Sequence, residues 1–156
     1  YDERADFVNK LVELTPNVKF DLYGIDNVQP IWADSFLKAI SNSKMGVNLS
    51  RGDPIKYYSS DRITQLIGNG LLTFIHKNTL FSNFFSSDEI IFYSDISNLS
   101  EKIQKYAKDD EQRKRIAKRG KMKYMKYFNS TVVAEYIINN TFDNTYKKNK
   151  YLWENK

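Results

Sequence analysis

The chain has 156 residues, 41% of them hydrophobic and 28% charged, with a formal net charge of +5. That length fits one domain, and the hydrophobic share supports a packed core, which excludes wholesale disorder. The absence of cysteine and the single histidine exclude disulfides, thiolate metal sites and a histidine-rich metal centre within this chain.

No apolar run approaches the roughly 20 residues of a membrane span, and no signal peptide opens the sequence. Because it begins at Tyr1, the chain is expected to be a fragment of something longer. Much of the positive charge falls late, in Arg113-Lys114-Arg115, Lys118-Arg119, Lys121, Lys123, Lys126 and Lys147-Lys148. No nucleic-acid motif accompanies it, so a solvated helix face is the expectation and nucleic acid is not an expected partner.

In chain order, residues 6–14 predict a helix, with Phe7, Leu11 and Leu14 at three- and four-residue spacing. Thr15-Pro16-Asn17 ends it. Residues 18–23 alternate apolar and polar and then meet Gly24, which predicts a strand and a turn. Trp32, Phe36, Leu37 and Ile40 outline the apolar side of a second helix, with Pro30 suited to its start. Residues 44–49 predict a short strand, followed by the loop residues Ser50-Arg51-Gly52-Asp53-Pro54.

Residues 57–75 carry the most information. A hydroxyl-rich loop opens a short helix whose Ile63, Leu66 and Ile67 face inward, and an apolar strand at residues 71–75 follows at once. Such an unbroken run suits a strand buried on both faces of a parallel sheet. Ser59, Ser60 and Arg62 stand at the helix start, where free N–H groups and the helix dipole favour an anion such as a diphosphate. The plainer alternative is an ordinary helix capped by Ser60 or Asp61, with Arg62 on the surface; in the anion-site reading Asp61 is expected to cap it.

Residues 80–85 predict a short helix or turn, and residues 90–93 another strand. Leu99, Ile103 and Tyr106 mark a helix after Ser94-Asp95. Residues 109–128 form a long charged helix with Gly120 as a candidate break. Residues 132–142 form the last helix, with Val133, Tyr136, Ile137 and Phe142 on its apolar side. These steps divide the chain into a domain over 1–142 and a polar tail over 143–156 that is expected to fray.

Strands and helices alternate. This predicts an α/β fold: a Rossmann-like parallel sheet with helices on both faces. A doubly wound domain ordinarily opens on a central strand, whereas this chain opens on a helix. A first strand is therefore expected upstream, or its place is filled by another segment or chain. Ligands of such sheets bind beyond the carboxyl ends of the strands, which adds Asn48, Ser50 and Arg51, and Gly24 after the earlier strand, as candidates. His76, at a strand end, and Glu89 read as structural, and Trp32 reads as a core residue rather than a base-stacking one.

The ordered pieces "SSDRITQLIGNGLLTFI", "LFSNFFSSDEIIFYSDISNLSEKIQKY" and "QRKRIAKRGKMKYMKYFN" resemble the C-terminal half of a GT-B glycosyltransferase. The resemblance is closest to the bacterial spore-protein-like (CgeB-like) group. It is carried by Arg62, Gly70, Phe84, Phe85, Glu89, Tyr93, Asp95, Leu99, Ile116, Ala117 and Gly120.

The resemblance implies one half of a GT-B fold. This half would bind a nucleotide-sugar donor through Ser59, Ser60, Arg62, Gln65, Asn48, Ser50, Arg51 and Gly24. An N-terminal half would bind the acceptor glycan or other hydroxyl substrate. It implies no cofactor and no metal, and a location in the cytoplasm or peripheral at the inner membrane. In two respects the chain departs from the pattern. Tyr57 and Gln65 stand where many retaining members carry glutamates, and the basic pair after the first strand is not visible. A non-catalytic Rossmann-like interaction or regulatory module is the alternative. A receiver domain is not favoured, since its acidic cluster and lysine are absent.

Overall fold

The computed structural model describes residues 3–50, 52–58, 60–142 and 150–155. Helices α1 (Glu3–Leu14) and α2 (Ala33–Asn42) precede strand β1 (Met45–Asn48). Helix α3 (Arg62–Gly68) leads into β2 (Leu72–His76). Two short 3₁₀ turns, Lys77–Thr79 and Phe81–Asn83, precede β3 (Ile91–Tyr93). Helices α4 (Ile96–Lys108), α5 (Asp110–Tyr127) and α6 (Ser130–Phe142) follow, with a final 3₁₀ turn at Leu152–Asn155.

The three strands form one parallel sheet in the order β1-β2-β3. Met45 lies opposite Leu72, and Phe74 opposite Ile91. Side chains alternate between the two faces of a strand. Met45, Val47, Leu72, Phe74, Ile91 and Tyr93 enter one core with Leu11, Leu99, Ile103, Tyr106 and Ile116, which belong to α1, α4 and α5. Ile75 and Phe92 point the other way, into a second core with Ile63, Ile67, Phe84 and Phe85. Helices thus cover both faces, as the alternation of elements predicts. The central strand is enclosed as far as Ile75: Leu72, Phe74 and Ile75 are each 0% exposed, and His76 at its end is half-buried.

Two glycines set how closely helices approach this sheet. Gly46 in β1 lies beneath Leu66 of α3, and a Cβ there would come within 2.4 Å of the Leu66 side chain. Gly120 in α5 lies against the backbone before β3, and a Cβ there would stand 2.2 Å from the Glu89 carbonyl oxygen. α5 therefore runs unbroken through Gly120, contrary to the expected break. The residue is there for close approach, not for a kink.

Buried polar contacts join α1 to α4. The Thr15 hydroxyl donates to Ser100 Oγ at 2.9 Å, and the Ser100 hydroxyl donates to the Leu14 carbonyl, also at 2.9 Å. Asp95 caps α4 by accepting from the Asn98 N–H at 2.9 Å, and Asp109 caps α5 by accepting from the Gln112 N–H at 2.9 Å.

Several expectations fail, each for a physical reason. Residues 18–23 form no strand. Val18 and Phe20 reach the first core, yet a strand also needs a ladder partner, and alternation alone does not supply one. Trp32 and Leu37 are 71% and 59% exposed. α2 packs through Phe36 and Ile40 against Leu66 and Leu71 instead, so its contact stripe is narrower than its apolar composition. Trp32 is the residue before α2 and is not a core residue. On α6, Val133, Ile137 and Phe142 are exposed at 40%, 57% and 80%, and no residue of this helix is buried. Only part of its apolar surface finds a neighbour: Tyr136 meets Tyr151 and Trp153 edge-on. The tail expected to fray lies outside the described residues over 143–149. Beyond it Tyr151 is buried, and Trp153 stacks on it at 5.3 Å.

Gly120→Ala is expected to lower the urea midpoint by about 1–3 kcal/mol equivalent, the cost of overpacking, although alanine is the better helix former by about 1 kcal/mol. Gly68→Ala has nothing within 4 Å of its new Cβ and should be neutral or stabilising.

Acid should destabilise the fold through three carboxyls. Burial pushes Glu89 up, but the Lys123 ammonium and the Ser86 N–H outweigh it and hold it below the ordinary range. The Asn98 N–H and the Ser94 hydroxyl lower Asp95, and Lys114 and Arg113 lower Asp110. A folded pKa below the unfolded one gives stability that is present above the unfolded value, about 4, and is lost as pH falls through the folded value. The urea midpoint should therefore drop between pH 5 and pH 3, with a shallower drop in a Glu89→Gln/Asp95→Asn variant.

Candidate functional site

The carboxyl edge of the sheet is built where β1 ends. Asn48 is its last residue and is 2% exposed. It shares a strand face with Gly46, so the close seating of α3 on Gly46 brings the residues before α3 over Asn48. The Ser60 hydroxyl donates to Asn48 Oδ1 at 2.8 Å. Arg62 Nη1 donates to the Leu49 carbonyl at 3.2 Å. Asn48 Nδ2 is buried and has no hydrogen-bond partner among the described residues. Reversing the amide would only exchange the atoms, so either orientation leaves one polar atom unpaired. Burying such an atom costs about 1–3 kcal/mol.

The loop leading to Ser60 is anchored at Tyr57. Its backbone has φ +59, a conformation rarely adopted by bulky residues. Its N–H donates to the Thr79 carbonyl at 2.8 Å, and its hydroxyl accepts from Asn83 Nδ2 at 2.7 Å. Its ring meets Phe84 at 5.2 Å. The loop after β1 is thereby tied to the segment after β2. Nothing in the spacing of Tyr57, Thr79 and Asn83 signals this clamp in the sequence.

At the ends of β2 and β3, His76 Nε2 lies 2.8 Å from the Ser94 carbonyl. Its Nδ1 accepts from the Asn78 N–H at 3.2 Å. This pair of contacts selects the tautomer with the proton on Nε2. The imidazole joins the two strand ends, in agreement with a structural reading. Tyr93 meets the His76 ring edge-on at 5.2 Å, and burial pushes its hydroxyl up to about 12, which removes it from proton transfer near neutral pH. Glu89 is structural too: it accepts from Ser86 N–H and from Lys123 Nζ, each at 2.8 Å.

The structure brings Asn48, Ser60 and Arg62 together. Ser50 follows two residues beyond Asn48 and is half-buried. Gln65 is half-buried one turn beyond Arg62 on α3, on the same side at i and i+3. Gly24 closes its own turn by donating to the Val28 carbonyl at 3.1 Å. Arg51 and Ser59 lie outside the described residues.

The helix start differs from expectation in two ways. Asp61 makes no side-chain cap. The N–H groups of Ile63 and Thr64 donate to the Ser60 and Asp61 carbonyls at 3.1 Å each, and the helix has only seven residues. Those two N–H groups are thus taken up by the helix's own turn.

A cavity of about 300 Å³ opens elsewhere, lined among others by Lys44, Gly70, Asp110, Arg113 and Lys114. Lys44 and Gly70 precede β1 and β2, so it lies at the amino edge, opposite Asn48. Asp110 carries ion pairs with Lys44, Arg113 and Lys114. The cavity's three cations share the one carboxylate of Asp110, and by geometry it belongs to the packing of α5.

Among the described residues no helix is long and apolar enough to cross a membrane. No curated protein and no solved structure matches the chain. The model of one family, described as glycosyl transferase-like, matches residues 4–139. That span takes in the whole sheet, α1 to α5, most of α6 and every candidate residue above, and it implies a sugar donor and an acceptor. The chain belongs to the glycosyl transferase-like family.

Proposed function

We propose that this chain is the donor-binding half of a GT-B glycosyltransferase of the bacterial spore-protein-like kind. It would hold a nucleotide-sugar at the carboxyl edge of β1 and work with an N-terminal half that holds the acceptor. The observation that carries this reading is Asn48. A buried amide with one atom unpaired among the described residues sits at the strand end where open α/β sheets take their ligands, with Ser60 bonded to it and Arg62 bonded to the next residue's carbonyl. The donor's diphosphate would lie against Arg62, Ser60 and Ser50, with Arg51 and Ser59 beside them and Gln65 toward the ribose. Gly24 would meet the nucleobase from its turn.

In glycosyl transfer the bond between the sugar's anomeric carbon and the phosphate oxygen breaks. The acceptor oxygen forms the new bond and loses its proton. Negative charge then grows on the departing diphosphate, and a guanidinium at that point stabilises it more as the reaction proceeds. Arg62 is suited to that role, since Nη1 is anchored on the Leu49 carbonyl and a guanidinium has four further N–H donors. His76 is engaged on both ring nitrogens. The base for the acceptor hydroxyl would therefore come from the acceptor side of the cleft.

A second reading, a non-catalytic Rossmann-like module, draws on Tyr57 and Gln65. Tyr57 is committed to Thr79, Asn83 and Phe84, and Gln65 lacks the charge of a carboxylate.

Calorimetry with UDP and GDP separates the two readings. The donor-half reading predicts weak binding that Arg62→Ala reduces about 10- to 150-fold, the equivalent of about 1.5–3 kcal/mol for a charge-assisted contact. Gln65→Ala should weaken binding, and Gln65→Glu should change it by on the order of 1 kcal/mol in either direction. Failure of the parent to bind either nucleotide favours the module. Equal affinity in parent and Arg62→Ala removes Arg62 from the site.

A further inference from the structure

We infer that the outer face of α5 is a docking surface for an anionic lipid bilayer; this does not rest on the donor site. α5 buries Arg113, Ile116, Ala117 and Gly120. On its opposite side lie Lys114, Arg115, Lys118, Lys121, Met122, Met125 and Lys126, all exposed. Met122 and Met125 are 63% and 51% exposed. At 100° per residue they fall near the middle of that face, with Lys118 between them and the other cations around them. Lys114 is paired with Asp110, and Arg119 with Asp88. Among the described residues no ion pair engages Arg115, Lys118, Lys121 or Lys126. The one acid on the face is Glu111, at its amino-terminal end.

The occupant follows from this mixture. A merely solvated face has no use for two methionines at its centre. Nucleic acid would answer the cations but leave the methionines in water. An anionic bilayer answers both: headgroups pair with ammonium and guanidinium groups on long flexible stems, while the methionines enter the acyl boundary. Methionine adapts to such an irregular surface.

The position of α5 gives the docking a direction. Its first turn lies by Lys44 before β1, and Lys121 approaches Gly70 before β2. Gly120 meets Glu89 before β3. α5 therefore crosses the amino edge of the sheet, and the strands, about 15 Å long at five residues, separate it from Asn48. Docking through α5 leaves the carboxyl edge facing the aqueous phase.

Co-sedimentation of the chain with phosphatidylglycerol/phosphatidylcholine vesicles tests this, with pure phosphatidylcholine vesicles and duplex DNA as comparisons. Binding to the anionic vesicles alone is expected, weakened by salt. Arg115→Gln/Lys118→Gln/Lys121→Gln should lose about 100-fold, at about fivefold per cation. Met122→Ser/Met125→Ser should lose about tenfold through lost insertion. Circular dichroism should show both variants folded, since every substituted side chain is exposed. Met122→Trp should give a fluorescence blue shift on anionic vesicles. The inference fails if anionic vesicles do not bind the chain, if the methionine variant binds as the parent does, or if duplex DNA binds as tightly as the vesicles.

Discussion

The seating of α3 on β1, possible because Gly46 has no side chain under Leu66, is the constraint on which the carboxyl edge depends. A Cβ at residue 46 would meet the Leu66 methyls at 2.4 and 2.9 Å, so the Leu66 side chain or α3 itself would have to shift. A shift of α3 would draw Ser60 away from Asn48 and Arg62 away from the Leu49 carbonyl. The buried Asn48 amide would then lose its one described partner. A small residue on β1 thus allows the close seating of the helix that carries a guanidinium a dozen or more residues away in sequence. Tyr57 holds the other end of the loop, so Ser60 and Arg62 are fixed from two sides.

The opposite edge is organised by a second close approach, of Gly120 to Glu89. Most of the residues that carry the family resemblance serve this framework. Glu89 pairs with Lys123, Tyr93 fills the core beside His76, Asp95 caps α4, and Ile116 and Ala117 seat α5. Of the set, Arg62 alone places a positive charge at the carboxyl edge; Asp95, just beyond β3, brings a carboxylate there as the cap of α4. The motif therefore marks how the domain is held together more than how it performs chemistry. This division also explains how one edge of the sheet can be given to a ligand while α5 at the other edge is free to face a surface.

The sequence was most legible where a pattern reports burial on both sides. Residues 71–75 read as a buried parallel strand, and β2 is the central strand over Leu72–His76; Ile63, Leu66 and Ile67 read as inward and are. It was least legible where the outcome depends on a distant partner. Residues 18–23 have the alternation of a strand, but pairing requires a neighbouring edge that no local pattern encodes. Trp32, Leu37, Ile137 and Phe142 read as core from composition, but whether an apolar side chain is covered depends on what packs there. Gly120 read as a break because glycine lowers helix propensity, while its reason lies thirty residues earlier at Glu89. At the site, residue types and the strand-end rule selected Asn48, Ser60 and Arg62, which the fold brings together. They did not foresee that Ser60 binds Asn48 or that the turn into α3 engages the N–H groups of Ile63 and Thr64.

The central claim is that a nucleoside diphosphate binds at the carboxyl edge beside Asn48. The most direct measurement is an ¹⁵N-correlated NMR titration of the chain with UDP and GDP, following backbone amides, the Asn48 side-chain NH₂ and the Arg62 Nε–H. The account predicts saturable shifts at the Asn48 side chain, Ser50, Ser60 and Arg62, with Lys44, Gly70 and Lys114 unchanged. Shifts confined to Lys44, Gly70 and Lys114 at the amino edge, or no shifts with either nucleotide, would contradict it.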